Sequence, residues 1–189
     1  MFRLIGPLRA CVLAASLMAL GPTAAADTPP AVPDKDVRVE RSGSRFTVDV
    51  VMHAPVPLAR AWEVLVDFDH MADFVPNLKA SQIVERSDSL LKVSQKGVAR
   101  YGIFSASFES VREIRLVPQR EIRARNVSGN LKHMESVMQL VAEEGGTRLH
   151  YHAEVQPDFW FPPLVGPSLV QHETAEQFSA MIQEMVRRK

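Results

Sequence analysis

The strongest constraint on the fold comes from residues 50–85, where strand and helix patterns follow one another within a short span. The segment begins as a strand that ends at Ala54-Pro55. Pro57 then suits the first turn of a helix, where a missing amide hydrogen costs nothing. A helical repeat of apolar residues follows, carried by Ala61, Trp62, Leu65 and Val66. The pattern predicts a strand followed directly by a short helix.

A second short helix is predicted immediately after the first. Asp69 can cap a segment that carries Met71, Phe74 and Val75. Pro76 ends that segment, and a second strand starts two residues later. We therefore expect two short helices, packed head to tail, between the first two strands of a sheet.

The middle of the chain is rich in predicted strands. Residues 45–53 alternate as a half-buried strand does, with one apolar face made by Phe46, Val48, Val50 and Met52. Six more candidate strands follow, each bounded by turn residues: 78–87, 90–100, 103–117, 120–127, 131–143 and 147–156. Short connections between seven strands predict an antiparallel meander.

The last hairpin of this meander contains Gly145-Gly146. If those two glycines form the loop, Leu140 lies opposite Tyr151 and Met138 lies opposite Ala153. Both pairs are apolar and share one face of the sheet, which supports this register.

The end of the chain has a helical period. Residues 164–188 carry an apolar stripe of Phe178, Met181, Ile182 and Met185, and Gly166-Pro167 suits either the start of the helix or a kink in it. Strands followed by one long helix make an α+β domain. At 189 residues, with 46% apolar side chains, the chain is long enough for one domain with a substantial core.

The first 26 residues have the pattern of a signal peptide. Arg3 and Arg9 are followed by an apolar run at 10–20, and small residues at 24–26 precede Asp27. The run is shorter than the roughly 20 residues that a membrane-spanning helix needs. We expect cleavage near Ala26 and a periplasmic or secreted protein. Cys11, the one cysteine, would leave with this peptide and take any thiol chemistry with it.

Residues 27–37 contain Pro29, Pro30 and Pro33 and are predicted to form an extended linker before a domain at 38–189. The full chain has 22 basic and 22 acidic residues, and loss of residues 1–26 leaves 20 basic residues against 22 acidic ones. A surface this close to neutral lacks the positive charge of a nucleic-acid-binding protein, so we expect no nucleic-acid partner.

Several short motifs, in this order, resemble the START-like polyketide cyclase/dehydrase superfamily, including its coenzyme Q-binding branch. The first group covers the predicted helices: Ala54-Pro55, the Ala-Trp-x-Val-Leu of 61–65, Asp67-Phe68, Phe74-Val75-Pro76 and Leu78. The later motifs are the Ser-Gly-Asn-Leu-Lys of 128–132, the Gly-Thr-Arg-Leu-x-Tyr of 146–151 and the Pro-Asp-Phe-Trp-x-Pro of 157–162. The resemblance spans about residues 45–187, and Met138 departs from it, since a tryptophan is expected there.

This resemblance implies a helix-grip fold, in which a curved antiparallel sheet wraps a long C-terminal helix around an apolar cavity. It does not choose among a lipid carrier, a chaperone and a cyclase. Strand alternation, the helical patterns and the aromatic segment at 159–161 supply candidate ligand-binding residues for such a cavity. These candidates are Phe74, Gln95, Phe104, Ala106, Phe108, Ala124, Asn126, Met134, Met138, Tyr151, Trp160 and Phe178.

Small residues and flexible methionines suit an adaptable apolar site, and the polar members could contact a ligand head group. The alternative is that the apolar side chains fill an ordinary core and the polar ones satisfy backbone groups or trapped water. Phe159-Trp160-Phe161 cannot all point inward, so this segment plugs the end of the core, gates ligand entry or touches a membrane transiently.

The six histidines do not have metal-ligand spacing, and the chain lacks both the His-Glu-x-x-His and the Gly-x-Ser-x-Gly motifs. We expect no metal, no cofactor and no conventional catalytic set. Three hypotheses remain. The first is binding or transport of a hydrophobic small molecule such as a lipid, quinone or polyketide-like compound. The second is a cyclase/dehydratase-type enzyme in which Tyr151 or a nearby histidine moves protons. The third is a protein-interaction module with a filled interior. A monomer or weak dimer suits all three.

Overall fold

A curved antiparallel sheet packs against one long helix in the computed structural model, which describes residues 29–87, 90–158 and 165–188. Within these residues the sheet has eight strands in the order β1-β2-β8-β7-β6-β5-β4-β3. The strands are β1 (Val37–Ser42), β2 (Arg45–Ala54), β3 (Leu78–Arg86), β4 (Leu90–Tyr101), β5 (Phe104–Val117), β6 (Glu121–Gly129), β7 (Leu131–Glu143) and β8 (Gly146–Pro157). The α-helices are α1 (Leu58–Leu65), α2 (Met71–Phe74) and α3 (Gly166–Arg187).

This architecture confirms the expected α+β helix-grip fold. Two short helices follow the strand that begins at Arg45, and the long helix comes last, starting at Gly166 with a proline in its first turn. The described sheet has one strand more than the seven predicted. The additional strand, β1, pairs with β2 across a tight turn at Gly43, whose φ of 62° suits glycine.

The described part of the segment predicted to be a linker contacts the domain. The backbone N–H of Val32 donates to Oγ of Ser179 on α3 at 2.8 Å, and the Val32 side chain is buried. Gln171 on the same helix donates to the carbonyl oxygens of Asp34 and Val37. Residues 29–37 therefore lie against α3 and lead directly into β1.

The final hairpin corrects the predicted register. Glu143 pairs with Gly146, so the turn consists of Glu144 and Gly145, and Gly145 has a positive φ of 82°, which glycine adopts at no steric cost. Met138 consequently lies opposite Tyr151, and Leu140 opposite Leu149. A shift of two residues leaves every side chain on its predicted face, because side chains alternate with period two.

The predicted cap of the second short helix is also different in the structure. Asp69 does not cap it: Oδ1 of Asp69 accepts a hydrogen bond from the backbone N–H of Ile83 on β3, at 2.6 Å. The carboxylate thus ties the helical segment to the strand that follows it.

A charged cluster fixes the C-terminal end of α3. Glu184 is buried and accepts hydrogen bonds from Arg187 and Arg188, at 2.6–2.7 Å. Arg188 also reaches Oδ2 of Asp67 at 2.8 Å. The hydrogen bond from Arg187, opposed by burial and reinforced by Arg188, lowers the pKa of Glu184 below its ordinary value. The cluster holds α3 against the turn between α1 and α2.

No helix among the described residues has the length and apolar character needed to span a membrane.

Candidate functional site

A cavity of about 290 Å³ lies between the inner face of the sheet and α3. This volume is near the lower end of the range for small-molecule sites, roughly 300 to 1,000 Å³. Most of its lining is apolar, with contributions from Phe46, Leu65, Phe68, Met71, Ile114, Ile122, Leu131, Val155, Leu169, Val170 and Met181.

The structure brings most of the predicted site residues to this cavity. Those that line it are Gln95, Ala106, Phe108, Ala124, Met134, Met138, Tyr151 and Phe178. They come from β4, β5, β6, β7, β8 and α3, and the strand residues share the inner face because side chains alternate along each strand.

Four predicted residues do not contribute to the described lining. Phe74 packs against the guanidinium of Arg188, with its ring centroid 5.6 Å from Cζ, and Nδ2 of Asn126 donates to the carbonyl oxygen of Leu131 at 3.0 Å. Trp160 and the side chain of Phe104 lie outside what the structure describes.

Tyr151 lies on the cavity wall beside α3. Its ring meets that of Phe178 edge to face, with the centroids 4.9 Å apart, and its hydroxyl is hydrogen-bonded to Ser136. Burial raises the pKa of Tyr151 above its ordinary value, against the opposing influence of Arg112 and Ser136. The hydroxyl is therefore neutral at physiological pH and can donate a hydrogen bond into the cavity.

Arg112 on β5 brings a positive charge to this apolar wall. Its guanidinium donates to Oε1 of Gln95, whereas its Nε is sealed from solvent and has no hydrogen-bond partner. None of the described carboxylates forms an ion pair with Arg112. Burial lowers the pKa of Arg112, but a guanidinium titrates so high that it stays charged at neutral pH.

A chain of polar contacts fixes Gln95, the residue that contacts Arg112. Nε2 of Gln95 donates to Oγ of Ser81 at 3.0 Å, and that hydroxyl donates to the carbonyl oxygen of Phe68 at 2.5 Å. Because its amide nitrogen is engaged in this way, Gln95 presents its oxygen to Arg112 and holds the guanidinium in place.

Glu173 on α3 is the buried acidic residue of the lining. Its carboxylate accepts hydrogen bonds from Nδ2 of Asn77 and from the backbone N–H of Arg100 on β4. Both carboxylate oxygens are thus used to join α3 to β4 and to the start of β3.

Sequence reasoning missed Arg112 and Glu173, although both lie on patterns that it used. Alternation predicts that Ala106 and Phe108 point inward, and the same alternation continues to Ser110, Arg112 and Ile114. Glu173 lies one helical turn after Leu169, on the buried stripe of α3. Their charge argued against an inward position, because buried charges are rare.

The outer face of the sheet has a different character. Its arginines form exposed ion pairs with glutamates, such as Arg123 with Glu121 and Arg125 with Glu113. Within the described part of the chain, no group of three or more His, Cys, Asp or Glu side chains could hold a metal ion.

Solved structures with the same fold include the Zhui aromatase/cyclase from Streptomyces sp. R1128. Its sequence is 17% identical to this chain. The superposition covers 76% of this chain and 95% of the cyclase chain, with a TM-score of 0.65. A STAR-related lipid transfer protein from Xanthomonas axonopodis is 14% identical to this chain. Its superposition covers 80% of this chain and 94% of the transfer protein, with a TM-score of 0.63. A START superfamily protein from Mycobacterium smegmatis is 15% identical to this chain. Its superposition covers 75% of this chain and 97% of the other chain, with a TM-score of 0.62.

Comparison with curated protein sequences finds no match to the chain. The family model described as "Polyketide cyclase / dehydrase and lipid transport" matches residues 54–180, well over half of the chain. This span runs from the end of β2 to the middle of α3 and includes nearly all of the cavity lining. With its fold, its cavity and this match, the chain belongs to the polyketide cyclase/dehydrase and lipid transport family.

Proposed function

We propose that this protein binds and carries a hydrophobic small molecule that has an electron-rich oxygen at one end. The molecule would lie in the cavity beneath α3, with its apolar part against the methionines and aromatic rings and its oxygen at Arg112. A lipid with an acidic head, a quinone or a polyketide-like compound has this chemistry.

The observation that carries the proposal is the position of Arg112. An isolated charge is costly to bury, and a charge in a protein interior normally has a partner of opposite sign. Here the cation lies in an apolar cavity without a carboxylate partner among the described residues, and its Nε has no acceptor. A ligand oxygen would supply the missing acceptor, and the adjacent Tyr151 hydroxyl could donate to the same atom.

Two related fluorescent probes test this proposal. Anilinonaphthalene sulfonate carries an anionic group, whereas phenylnaphthylamine has a similar ring system without it. Arg112→Met removes the charge and keeps an unbranched side chain about as long as the aliphatic part of arginine. We expect it to weaken sulfonate binding by about tenfold to a hundredfold, since a hydrogen bond to a charged group contributes roughly 1.5 to 3 kcal/mol. Phenylnaphthylamine should bind within about threefold of the wild type, because it has no charge for Arg112 to recognise.

Arg115→Met is the matched control, because Arg115 lies on the same strand but is exposed. It should change neither affinity. Equal losses of both probes in a folded Arg112→Met protein, or a wild type that binds neither probe, would contradict the proposal.

A cyclase/dehydratase-type activity is the second candidate, and Tyr151 favours it. Its hydroxyl stays protonated and lies within the electrostatic influence of the Arg112 guanidinium, so the two could polarise a carbonyl oxygen of a bound poly-keto chain. Incubation with a synthetic poly-β-ketone, followed by mass spectrometry of the recovered compound, separates the candidates. Loss of water catalysed by the protein supports the enzyme, and an unchanged ligand supports the carrier.

Export, transient membrane contact and a monomeric or weakly dimeric state are parts of the same proposal. The signal-peptide pattern of residues 1–26 supports export, and N-terminal sequencing of the protein from fractionated cells should find a chain that begins near Asp27. A cytoplasmic protein with an intact leader would contradict it.

A further inference from the structure

The β4–β5 hairpin extends beyond its neighbouring strands. Pairing of β3 with β4 begins at Leu78 and Gly97, and pairing of β5 with β6 ends at Ser110 and Gly129. The strands between these points pair with each other, for example Ala99 with Ala106. We call residues 98–107 the hairpin arm.

The hairpin arm forms part of the cavity wall. Ala99 and Ala106 line the cavity, and the backbone N–H of Arg100 donates to Glu173 on α3. Other lining residues at this end of the sheet are Leu131, at the start of β7, and Pro157, at the end of β8. The arm therefore lies where the end of the sheet meets the N-terminal half of α3.

The tip of the hairpin arm is apolar and projects into solvent. Ile103 is 95% exposed, whereas the other large apolar side chains exposed in the described part of the chain are valines within strands, and the highest of them is 58% exposed. The arm contains one cation, Arg100, and no acidic residue. A convex apolar tip beside a positive charge matches the surface of a bilayer, which offers apolar chains beneath anionic head groups.

We propose that the hairpin arm docks the protein onto a lipid bilayer, with Ile103 inserted among the acyl chains and Arg100 at the head groups. This inference rests on the proposed function, because a ligand that fits the apolar cavity partitions into membranes. A protein partner fits the tip less well: a stable protein interface buries about 1,200 to 2,000 Å², far more than one side chain can offer. A bilayer needs only a small insertion and releases the protein again.

Flotation with phosphatidylcholine vesicles, with and without phosphatidylglycerol, tests the docking. Ile103→Ser should lower the vesicle-bound fraction by about tenfold, as expected for the loss of one large inserted apolar side chain. Binding of anilinonaphthalene sulfonate in vesicle-free solution and the melting temperature should not change, because Ile103 makes no core contact at this exposure. The variant should also take up a pyrene-labelled fatty acid from vesicles more slowly.

Val141→Ser is the matched control. Val141 is 48% exposed and lies near the β7–β8 turn, at the opposite end of the sheet. It should leave flotation and uptake unchanged. Equal flotation of Ile103→Ser and wild type would overturn the docking proposal. A wild-type protein that binds the probe in solution but does not float with vesicles would also overturn the docking proposal, while leaving the proposed function intact. A wild type that floats but binds no probe would instead contradict the proposed function alone.

Discussion

Arg112 is the residue at which two local rules of protein structure conflict. Strand alternation along β5 carries its side chain to the cavity wall together with Ala106 and Phe108, whereas hydrophobicity favours an outward position for a cation. Such conflicts are expected at functional sites, where local rules are broken.

Gly97 shows how one small residue makes room for the cavity wall. It lies directly opposite Phe108 on β5. A Cβ added here would clash with the backbone oxygen of Asn77 and lie 2.5 Å from Cζ of Phe108. Because a carbonyl oxygen of the backbone cannot move aside cheaply, Gly97→Ala should destabilise the fold by about 1 to 3 kcal/mol, measured by denaturant unfolding.

Gly43→Asn serves as a comparison for this substitution. Gly43 has a positive φ, which asparagine tolerates, and a Cβ added there would meet no atom within 4 Å. We expect a change within about 0.5 kcal/mol. If both variants unfold at the same denaturant concentration as the wild type, the inference that position 97 has no room for a Cβ atom is wrong.

At the scale of elements, periodicity predicted the strands and the long helix well but not their exact pairing. The predicted register of the β7–β8 hairpin differs from the observed one by two residues. Gly145-Gly146 fits a two-residue loop as well as Glu144-Gly145 does, and an even shift keeps the same faces buried. β1 was missed because a short edge strand next to a proline-rich segment has little pattern of its own. The partner of Asp69 could not be predicted, since it lies on another element.

The C-terminal end of α3 should respond to pH through Glu184. Because the folded-state pKa of Glu184 is lowered, its contribution to stability is present above the unfolded-state pKa and is lost as pH falls through the folded-state pKa. Glu184→Gln should therefore cost about 1.5 to 3 kcal/mol near neutral pH. The difference from wild type should shrink at pH values below about 4, as measured by urea unfolding across pH.

Glu176→Gln is the control for this pH series, because Glu176 is exposed on the same helix. Its unfolding curve should follow the wild type at every pH. A stability difference for Glu184→Gln that stays constant from neutral to acidic pH would show that the ion cluster does not stabilise the helix end.

For the whole molecule, the family and the helix-grip fold could be predicted because they depend on the order of motifs along the chain. The size of the cavity could not be predicted, since the same inward residues could equally form a filled core. That question depends on how far α3 stands from the sheet, and many side chains together determine this distance.

Ala106→Trp measures whether that space is open. Ala106 lines the cavity, so a larger side chain there should occupy the volume that a ligand needs. In a filled core the added atoms would cost typically about 1 to 3 kcal/mol or more, whereas a cavity accepts them with little strain. We expect a melting temperature within a few degrees of wild type, and loss of phenylnaphthylamine binding.

Ala142→Trp adds the same side chain at an exposed position on β7, so it should preserve probe binding. Severe destabilisation of Ala106→Trp, together with a wild type that binds no probe, would favour the protein-interaction hypothesis with a filled interior.

The contact between the described N-terminal stretch and α3 also has a consequence for synthesis. Val32 and Ser179 are hydrogen-bonded although 147 positions separate them in the sequence. All eight strands are synthesised before α3 can cover the inner face of the sheet, and contacts of such long range form slowly. Until then the apolar face of the newly made sheet is open to chaperones, because the helix that covers it is made after every strand of the described sheet.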